Sequence, residues 1–292
     1  MNIIVLGAGA IGSIFGAKLS RLNDVLLIAR KGHADKINRN GLKVTGIESK
    51  TYKIKAATRV KKIYRGTLIL LTTKVTDSQR AINSIKGMVR KDTTILCVQN
   101  GLYSENIVKR ITGGKCLVLR AVTNFGAAFL KPGAVKYNSY SYTAIEKNER
   151  SKEIAENFRK CGLNGHMSEN IKHDMWKKLA LNCVLNPITS ILKIKNREIA
   201  DERLNPLKRL VIEECAKVAR KDGVNIDYSV ERLNSAFKKS ENISSMQQDL
   251  IKGKRTEIDY LNGAVAELGK KYGVKCPVNE ALAEIVKGME KD

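Results

Sequence analysis

The stretch Asn2-Ile3-Ile4-Val5-Leu6-Gly7-Ala8-Gly9-Ala10-Ile11-Gly12 decides the fold class. Ile3 to Leu6 are apolar and rich in β-branched residues, the composition of a strand buried on both faces of a parallel sheet. A glycine turn follows, then a helical pattern reaching Leu19 and Leu22, then a second strand at 25–29. This is a βαβ unit built around G-x-G-x-x-G. The first glycine permits a tight turn, the second lets a pyrophosphate approach the backbone, and the third lets helix and strand pack closely. Free N–H groups at the helix start suit phosphate oxygens. Gly7, Ala8, Gly9, Ala10, Ile11 and Gly12 are therefore the expected dinucleotide contacts; the competing reading is a plain glycine turn.

The end of the second strand selects the cofactor. Sites for NAD commonly place an acid there against the ribose 2′-OH. This chain reads Ala29-Arg30-Lys31, with no carboxylate. A guanidinium matches the extra phosphate of NADP(H) through paired, charge-assisted bonds, so NADP(H) is expected in preference to NAD(H). The plainer alternative is that Arg30 stacks on adenine or faces water.

Residues 68–71 and 94–98 read as further buried strands, followed by Thr72-Thr73-Lys74 and Gln99-Asn100-Gly101. Ligands of open parallel sheets bind beyond the carboxyl ends of the strands, which puts Lys74 and Asn100 within reach of ribose or substrate. A surface lysine and an ordinary Asn-Gly turn are the simpler readings. Residues 41–55 are expected to add strands or a hairpin, and 117–122 and 134–145 to extend the sheet. A loop at 123–127 would lean over the nicotinamide, with a helix at 151–161 and a short strand at 165–169. The predicted class is α/β: a Rossmann-type dinucleotide-binding domain over residues 1–168, then an all-helical domain over 169–292.

In that second half, helices are predicted at 171–192, 205–222, 229–239, 245–252, 257–272 and 278–290. The first contains Trp176-Lys-Lys-Leu-Ala-Leu-Asn-Cys-Val-Leu-Asn-Pro187. From Leu179 to Leu192 everything is apolar or small except Asn182 and Asn186, and Lys178 lies four residues before Asn182. At about 100° per residue, steps of four keep these three side chains in one polar seam. Either the asparagines tie the helix to neighbouring backbone, or the seam faces a polar ligand with the lysine placed to move a proton. Pro187 cannot donate to the carbonyl of Cys183, so a kink or break is expected beside Asn186; the freed carbonyl suits a ligand site or a tertiary repair. Ser245 with Gln248 reads as a capping box, and Thr256 with Asp259 as a similar cap, where Glu257 would favour the helix dipole. The functional alternative has Asn242 and Ser245 touching substrate, and Glu257 near cofactor ribose or Lys178.

At 292 residues, with 43% hydrophobic and 28% charged, the composition is that of an ordinary globular protein. The net charge of +24 is dispersed and interleaved with acids, with no basic arm or nucleic-acid motif, so nucleic acid is not an expected partner and attraction for anionic ligands is. Six cysteines without a C-x-x-C pair suit buried thiols in a reducing compartment. No apolar run nears the roughly 20 residues that span a membrane, and the start lacks a signal-peptide pattern, so a cytoplasmic location is expected. His33, His166 and His173 lack metal-ligand spacing, and no metal is expected.

Taken together, Gly7 to Gly12, Lys74, Gln99-Asn100-Gly101, Trp176 to Pro187, Asn242-Ile243-Ser244-Ser245-Met246 and Arg255-Thr256-Glu257-Ile258-Asp259-Tyr260 resemble the ketopantoate reductase (2-dehydropantoate 2-reductase) family. The resemblance spans nearly the whole chain, and its middle and late motifs are more specific than the glycine loop. It implies NADPH-dependent reduction of 2-dehydropantoate to pantoate, a step toward pantothenate and coenzyme A. By motif position it makes Lys178 the catalytic lysine and Asn182, Asn186, Asn196 and Ser245 substrate contacts. It further places Lys74, Asn100 and Glu257 near cofactor and substrate, Arg30 at the NADP-selecting position, and Ala127 at a cofactor contact. The seam suits that chemistry in its own right: hydride delivered to a ketone leaves an alkoxide that an ammonium can stabilise and protonate. Two rivals remain, a reductase of another small 2-oxo acid on the same scaffold and a non-catalytic NADP(H)-binding sensor. A small 2-oxo acid is the expected partner, and a homodimer the candidate assembly.

Overall fold

Runs that are apolar on both faces have to lie inside a sheet covered by helices, and the chain places them there. The computed structural model describes residues 1–291. It divides into two units, residues 1–99 with 103–171, and residues 100–102 with those from 172 onward.

The first unit contains, in chain order, β1 (Asn2–Leu6), α1 (Ala10–Leu19), β2 (Asp24–Ile28), α2 (Lys31–Asn40), β3 (Leu42–Gly46), β4 (Lys50–Tyr52), β5 (Lys55–Ala57), β6 (Leu68–Leu71), α3 (Ser78–Asn83), β7 (Thr94–Cys97), α4 (Ser104–Thr112), β8 (Leu117–Thr123), β9 (Gly126–Lys131), β10 (Ala134–Ser139), β11 (Thr143–Ile145), α5 (Glu149–Lys160) and β12 (Gly165–Met167). The main sheet has the order β12-β11-β8-β7-β6-β1-β2-β5. Pairing is parallel from β8 across to β5, whereas β11 runs antiparallel to β8. Every residue of β6 and β7 is buried, as their uninterrupted apolar sequences require. The chain builds outward from β1 to β2 and β5, then crosses back to β6, β7 and β8. The strand order therefore reverses at β1, and the carboxyl ends of β1 and β6 flank the crevice in which such sheets hold ligands.

Two expectations change here. Residues 134–145 do not all extend the main sheet: β10 joins a separate four-stranded sheet of order β4-β3-β10-β9, and only β11 returns to the first. Residues 123–127 are not a free loop, because Gly126 opens β9 and Ala127 pairs with Tyr137. The cause is a buried aromatic seat. Phe15 of α1 lies 5.7 Å from Phe125, which lies 5.8 Å edge-on from Tyr137, so the small sheet closes over α1 and draws both segments with it.

The second unit is all-helical: α6 (Ile171–Leu192), α7 (Asn205–Lys221), α8 (Val230–Phe237), α9 (Ser245–Ile251), α10 (Asn262–Tyr272) and α11 (Pro277–Met289), with short 3-10 turns at Asn196–Ala200, Glu202–Leu204 and Ile258–Tyr260. The helix expected over 257–272 begins only at Asn262. Among the described residues no helix is long and apolar enough to cross a membrane, and no group of three or more His, Cys, Asp or Glu is arranged to hold a metal ion.

His33 fastens the first unit together. Its Nδ1 accepts from the backbone N–H of Gly133 at 2.9 Å, which leaves Nε2 to carry the proton and face Ser13 Oγ at 3.2 Å. Burial lowers its pKa from the usual 6.5. The unfolded chain takes up this proton below about pH 6.5 while the folded chain resists it, so stability is full above that pH and falls as pH drops toward the lower folded value. In His33→Asn, which retains an acceptor but does not titrate, the urea midpoint should decline less than in the wild type between about pH 7 and about pH 5. Identical pH slopes for the two proteins would reject the assignment.

Candidate active site

The glycine turn is braced by the strand ends around it. Gly7 and Ala8 donate to the Ile28 carbonyl at 3.2 and 2.8 Å, and Thr72 Oγ1 donates to the Gly7 carbonyl at 2.9 Å. A Cβ added at Gly12 would lie 2.4 Å from the Gly7 carbonyl oxygen and 2.5 Å from Thr72 Oγ1, whereas one at Gly9 would meet nothing within 4 Å. Gly12 is therefore a packing glycine and Gly9 a point of open backbone approach, the division of roles a dinucleotide loop needs. Gly9 caps α1 without a side-chain bond, and no acid lies in the first turn, so its leading N–H groups suit anionic oxygens. The residues present fit a dinucleotide pyrophosphate.

Lys74 follows this brace directly. Gln99, at the end of β7, donates through Nε2 to the Thr73 carbonyl at 2.9 Å and to Ser78 Oγ at 2.7 Å, holding the turn that presents Lys74. The carbonyl of Gln99 is in turn held by buried Arg120 of β8 at 2.5 Å, and the same guanidinium reaches Ser104 Oγ at 2.5 Å. Sequence reading missed Gln99 and Arg120 as supports, since nothing local in β8 distinguishes Arg120 from a solvated residue. Arg30 is exposed and is the N-cap of α2, again with no acid in the first turn. Ala127 is half-buried within β9.

In the helical unit, α6 runs through Pro187 for 22 residues, so of the expected kink or break the break does not occur. The carbonyl of Cys183, which residue 187 cannot serve, instead accepts from Asn262 Nδ2 at 3.0 Å. The start of the helix is clamped by Asp222, which accepts from Trp176 Nε1 at 2.8 Å and from the Tyr272 hydroxyl at 2.8 Å and pairs with Lys172 at 3.1 Å.

Lys178 is half-buried on this helix, and Asn182 and Asn186 are only 8% and 3% exposed. Among the described residues neither asparagine side chain has a hydrogen-bond partner, yet neither is sealed from solvent. Among the described residues, no bond from either side chain ties α6 to neighbouring backbone. The face continues through buried Thr189 and Ser190, whose hydroxyls lie 2.9 and 3.5 Å from Ser244 Oγ. Ser244, not Ser245, is the N-cap of α9, accepting from the Gln247 N–H at 3.3 Å; Ser245 is exposed and is not used as the cap. Asn196 donates its backbone N–H to the Asn242 carbonyl at 2.8 Å, and its Oδ1 is buried without a partner among the described residues. The seam helix and the segments bearing Asn196, Asn242 and Ser245 are thus brought together.

Glu257 precedes the 3-10 turn at 258–260 and does not sit in the first turn of a long helix, so the dipole reading is replaced. Its carboxylate accepts from Asn100 Nδ2 at 3.1 Å. Gly101, at φ +77°, lies so near the chain that an added Cβ would be 2.6 Å from the Tyr260 carbonyl oxygen. The Asn-Gly pair is a turn, as its simpler reading held, and it also delivers an amide to Glu257.

Comparison with known proteins agrees with this geometry. The family model described as "Ketopantoate reductase PanE/ApbA" matches residues 3–150, and its C-terminal counterpart matches residues 170–290. A 2-dehydropantoate 2-reductase of Pyrococcus horikoshii is 36% identical over 99% of this chain and 98% of its own length, and one of Archaeoglobus fulgidus is 30% identical over the same shares. Among solved structures, a PanE/ApbA family ketopantoate reductase from Ralstonia eutropha superposes with a TM-score of 0.91 at 29% identity, covering 99% of this chain and 98% of that one. A D-mandelate dehydrogenase solved with NADH and anilino(oxo)acetate gives a TM-score of 0.88 at 29% identity with the same coverage. By sequence over its whole length and by fold, this chain belongs to the ketopantoate reductase PanE/ApbA family.

Proposed function

We propose that this protein reduces 2-dehydropantoate to pantoate with NADPH, in the cytoplasm. The observation that carries the reading is a pair of nearly buried amides without a partner among the described residues, Asn182 and Asn186, on the helix face they share with Lys178. Amides left unpaired in a fold suit a ligand that supplies both acceptors and donors, as a carboxylate and hydroxyls do. NADPH, when bound, supplies the hydride for the 2-oxo carbon. Lys178 stabilises the oxygen as it gains charge and delivers its proton there, completing the secondary alcohol. Asn182, Asn186, Asn196, Asn242 and Ser245 hold the substrate carboxylate and hydroxyl, with Asn100 and Glu257 as a hydrogen-bonded pair beside them. Gly7 to Gly12 hold the pyrophosphate, and Lys74 and Ala127 contact the nucleotide. Arg30 and the N-terminal N–H groups of α2 receive the 2′-phosphate, where a carboxylate would repel it. The net charge of +24 favours an anionic oxo acid and a phosphorylated cofactor. Six buried thiols with no disulfide accord with a reducing compartment.

A second reading has a specific basis: the D-mandelate dehydrogenase is a structural neighbour at the same 29% identity as the ketopantoate reductase. Steady-state oxidation of NADPH and NADH against 2-dehydropantoate, benzoylformate and small aliphatic 2-oxo acids separates the two. The highest kcat/KM should belong to 2-dehydropantoate with NADPH; benzoylformate with NADH as the best pair would replace the first reading. Tight NADPH binding without turnover on any acid would indicate a sensor.

Lys178→Ala should lower kcat by roughly 10²–10⁴ while the NADPH Kd stays near that of the wild type. Near-normal turnover would remove Lys178 from the chemistry. Asn182→Ala should lower kcat/KM for the oxo acid by the equivalent of about 1–3 kcal/mol, and unchanged kinetics would return that residue to a structural role. Arg30→Ala should cut kcat/KM for NADPH about 10–100-fold and leave NADH nearly unaffected; equal losses for both cofactors would show that Arg30 does not read the 2′-phosphate.

A further inference from the structure

A proline at position 187 leaves the carbonyl of Cys183 without its helical donor, and that carbonyl lies between the two asparagines of the seam. Asn262 occupies it. The side chain is completely buried and uses both hydrogens of Nδ2, one on the Cys183 oxygen at 3.0 Å and one on Asn279 Oδ1 at 3.0 Å. Asn279, also completely buried, donates its own Nδ2 to Glu214 Oε2 at 2.7 Å. The Glu214 carboxylate accepts two further bonds from the backbone N–H groups of Val278 and Asn279, at 3.0 and 2.9 Å, in the first turn of α11.

The charge at the far end dictates the direction of this relay. A carboxylate at Glu214 only accepts, so Asn279 must turn its NH₂ toward it and its oxygen toward Asn262. Asn262 must then be a double donor, and its second hydrogen falls on the carbonyl that Pro187 exposes. The other end of Asn262 is set by the chain. It is the first residue of α10, and only Leu261 separates it from the 3-10 turn at 258–260, which begins after Glu257. One buried amide therefore links the backbone between Asn182 and Asn186 to the segment that presents Glu257 to Asn100.

We infer that Asn262 is a positioning residue for the reduction: by taking the carbonyl released at Pro187, it sets the placement of Glu257 relative to the Asn182 and Asn186 amides. This rests on the reading of those amides as substrate-binding groups. The proline is part of the device, because an ordinary residue at 187 would claim the Cys183 carbonyl for the helix and compete with Asn262 for it.

Two variants approach the same carbonyl from opposite sides. Asn262→Ala should lower kcat/KM for the oxo acid about 10–100-fold, with NADPH Kd within about twofold of the wild type. Pro187→Ala restores the helical donor; it should raise Tm and still lower kcat/KM, so that stability and substrate use move in opposite directions. In the double variant the loss should be no greater than in Asn262→Ala alone, since both changes act on one bond. If Asn262→Ala does not fold, Pro187→Ala decides: higher Tm with unchanged kcat/KM overturns the inference. Wild-type turnover with both variants kinetically normal removes this proposal only. No wild-type turnover on any 2-oxo acid removes the underlying reading and this proposal with it.

Discussion

An amide that is nearly buried and makes no bond to the protein depends for its hydrogen bonds on what reaches its few exposed atoms, water or a ligand. Among the described residues helix α6 carries two, one turn apart, on the face that also bears Lys178. An ordinary packed helix would replace them with leucine or alanine at no loss to its core. The rest of the helical unit is organised to hold that face steady. Asp222 clamps its beginning, Asn262 repairs its middle, and Ser244 meets its end through Thr189 and Ser190.

The two units place their polar groups by different means. In the first, most of the work falls to backbone. The glycine turn, the open approach at Gly9 and the leading N–H groups of α1 need no particular side chain to attract a pyrophosphate. In the second, the polar groups on the seam helix and the segments packed on it are side chains: amides, a hydroxyl, a carboxylate and a lysine amine. Such groups hold their geometry only when the elements beneath them are fixed, and buried polar bonds brace the seam helix at Cys183 and Thr189.

Much of this was legible in the order of residues. The βαβ pattern, the strands at 68–71 and 94–98 and the lysine–asparagine spacing on α6 are local signals, carried by periods of two and 3.6 that depend on nothing distant. The misplaced features depend on partners far away in sequence. Ala127 lies on a strand because Tyr137 and Phe125 close over Phe15, and Glu257 lies outside the long helix because α10 starts only at Asn262. Ser244 and Ser245 are adjacent and equally able to cap; the neighbouring hydroxyls of Thr189 and Ser190 accompany Ser244 in that role.

By itself the sequence determined the dinucleotide turn, the absence of an acid after β2 and the row formed by Lys178, Asn182 and Asn186, because each follows from chain geometry over a few residues. Only the tertiary structure decided that the two amides are nearly buried and without a partner among the described residues, that Pro187 leaves α6 continuous, and that Asn100 meets Glu257 across 157 positions of chain. The reason is physical: whether a polar group is satisfied depends on what the rest of the fold brings within about 3 Å of it, and no local pattern encodes that distance.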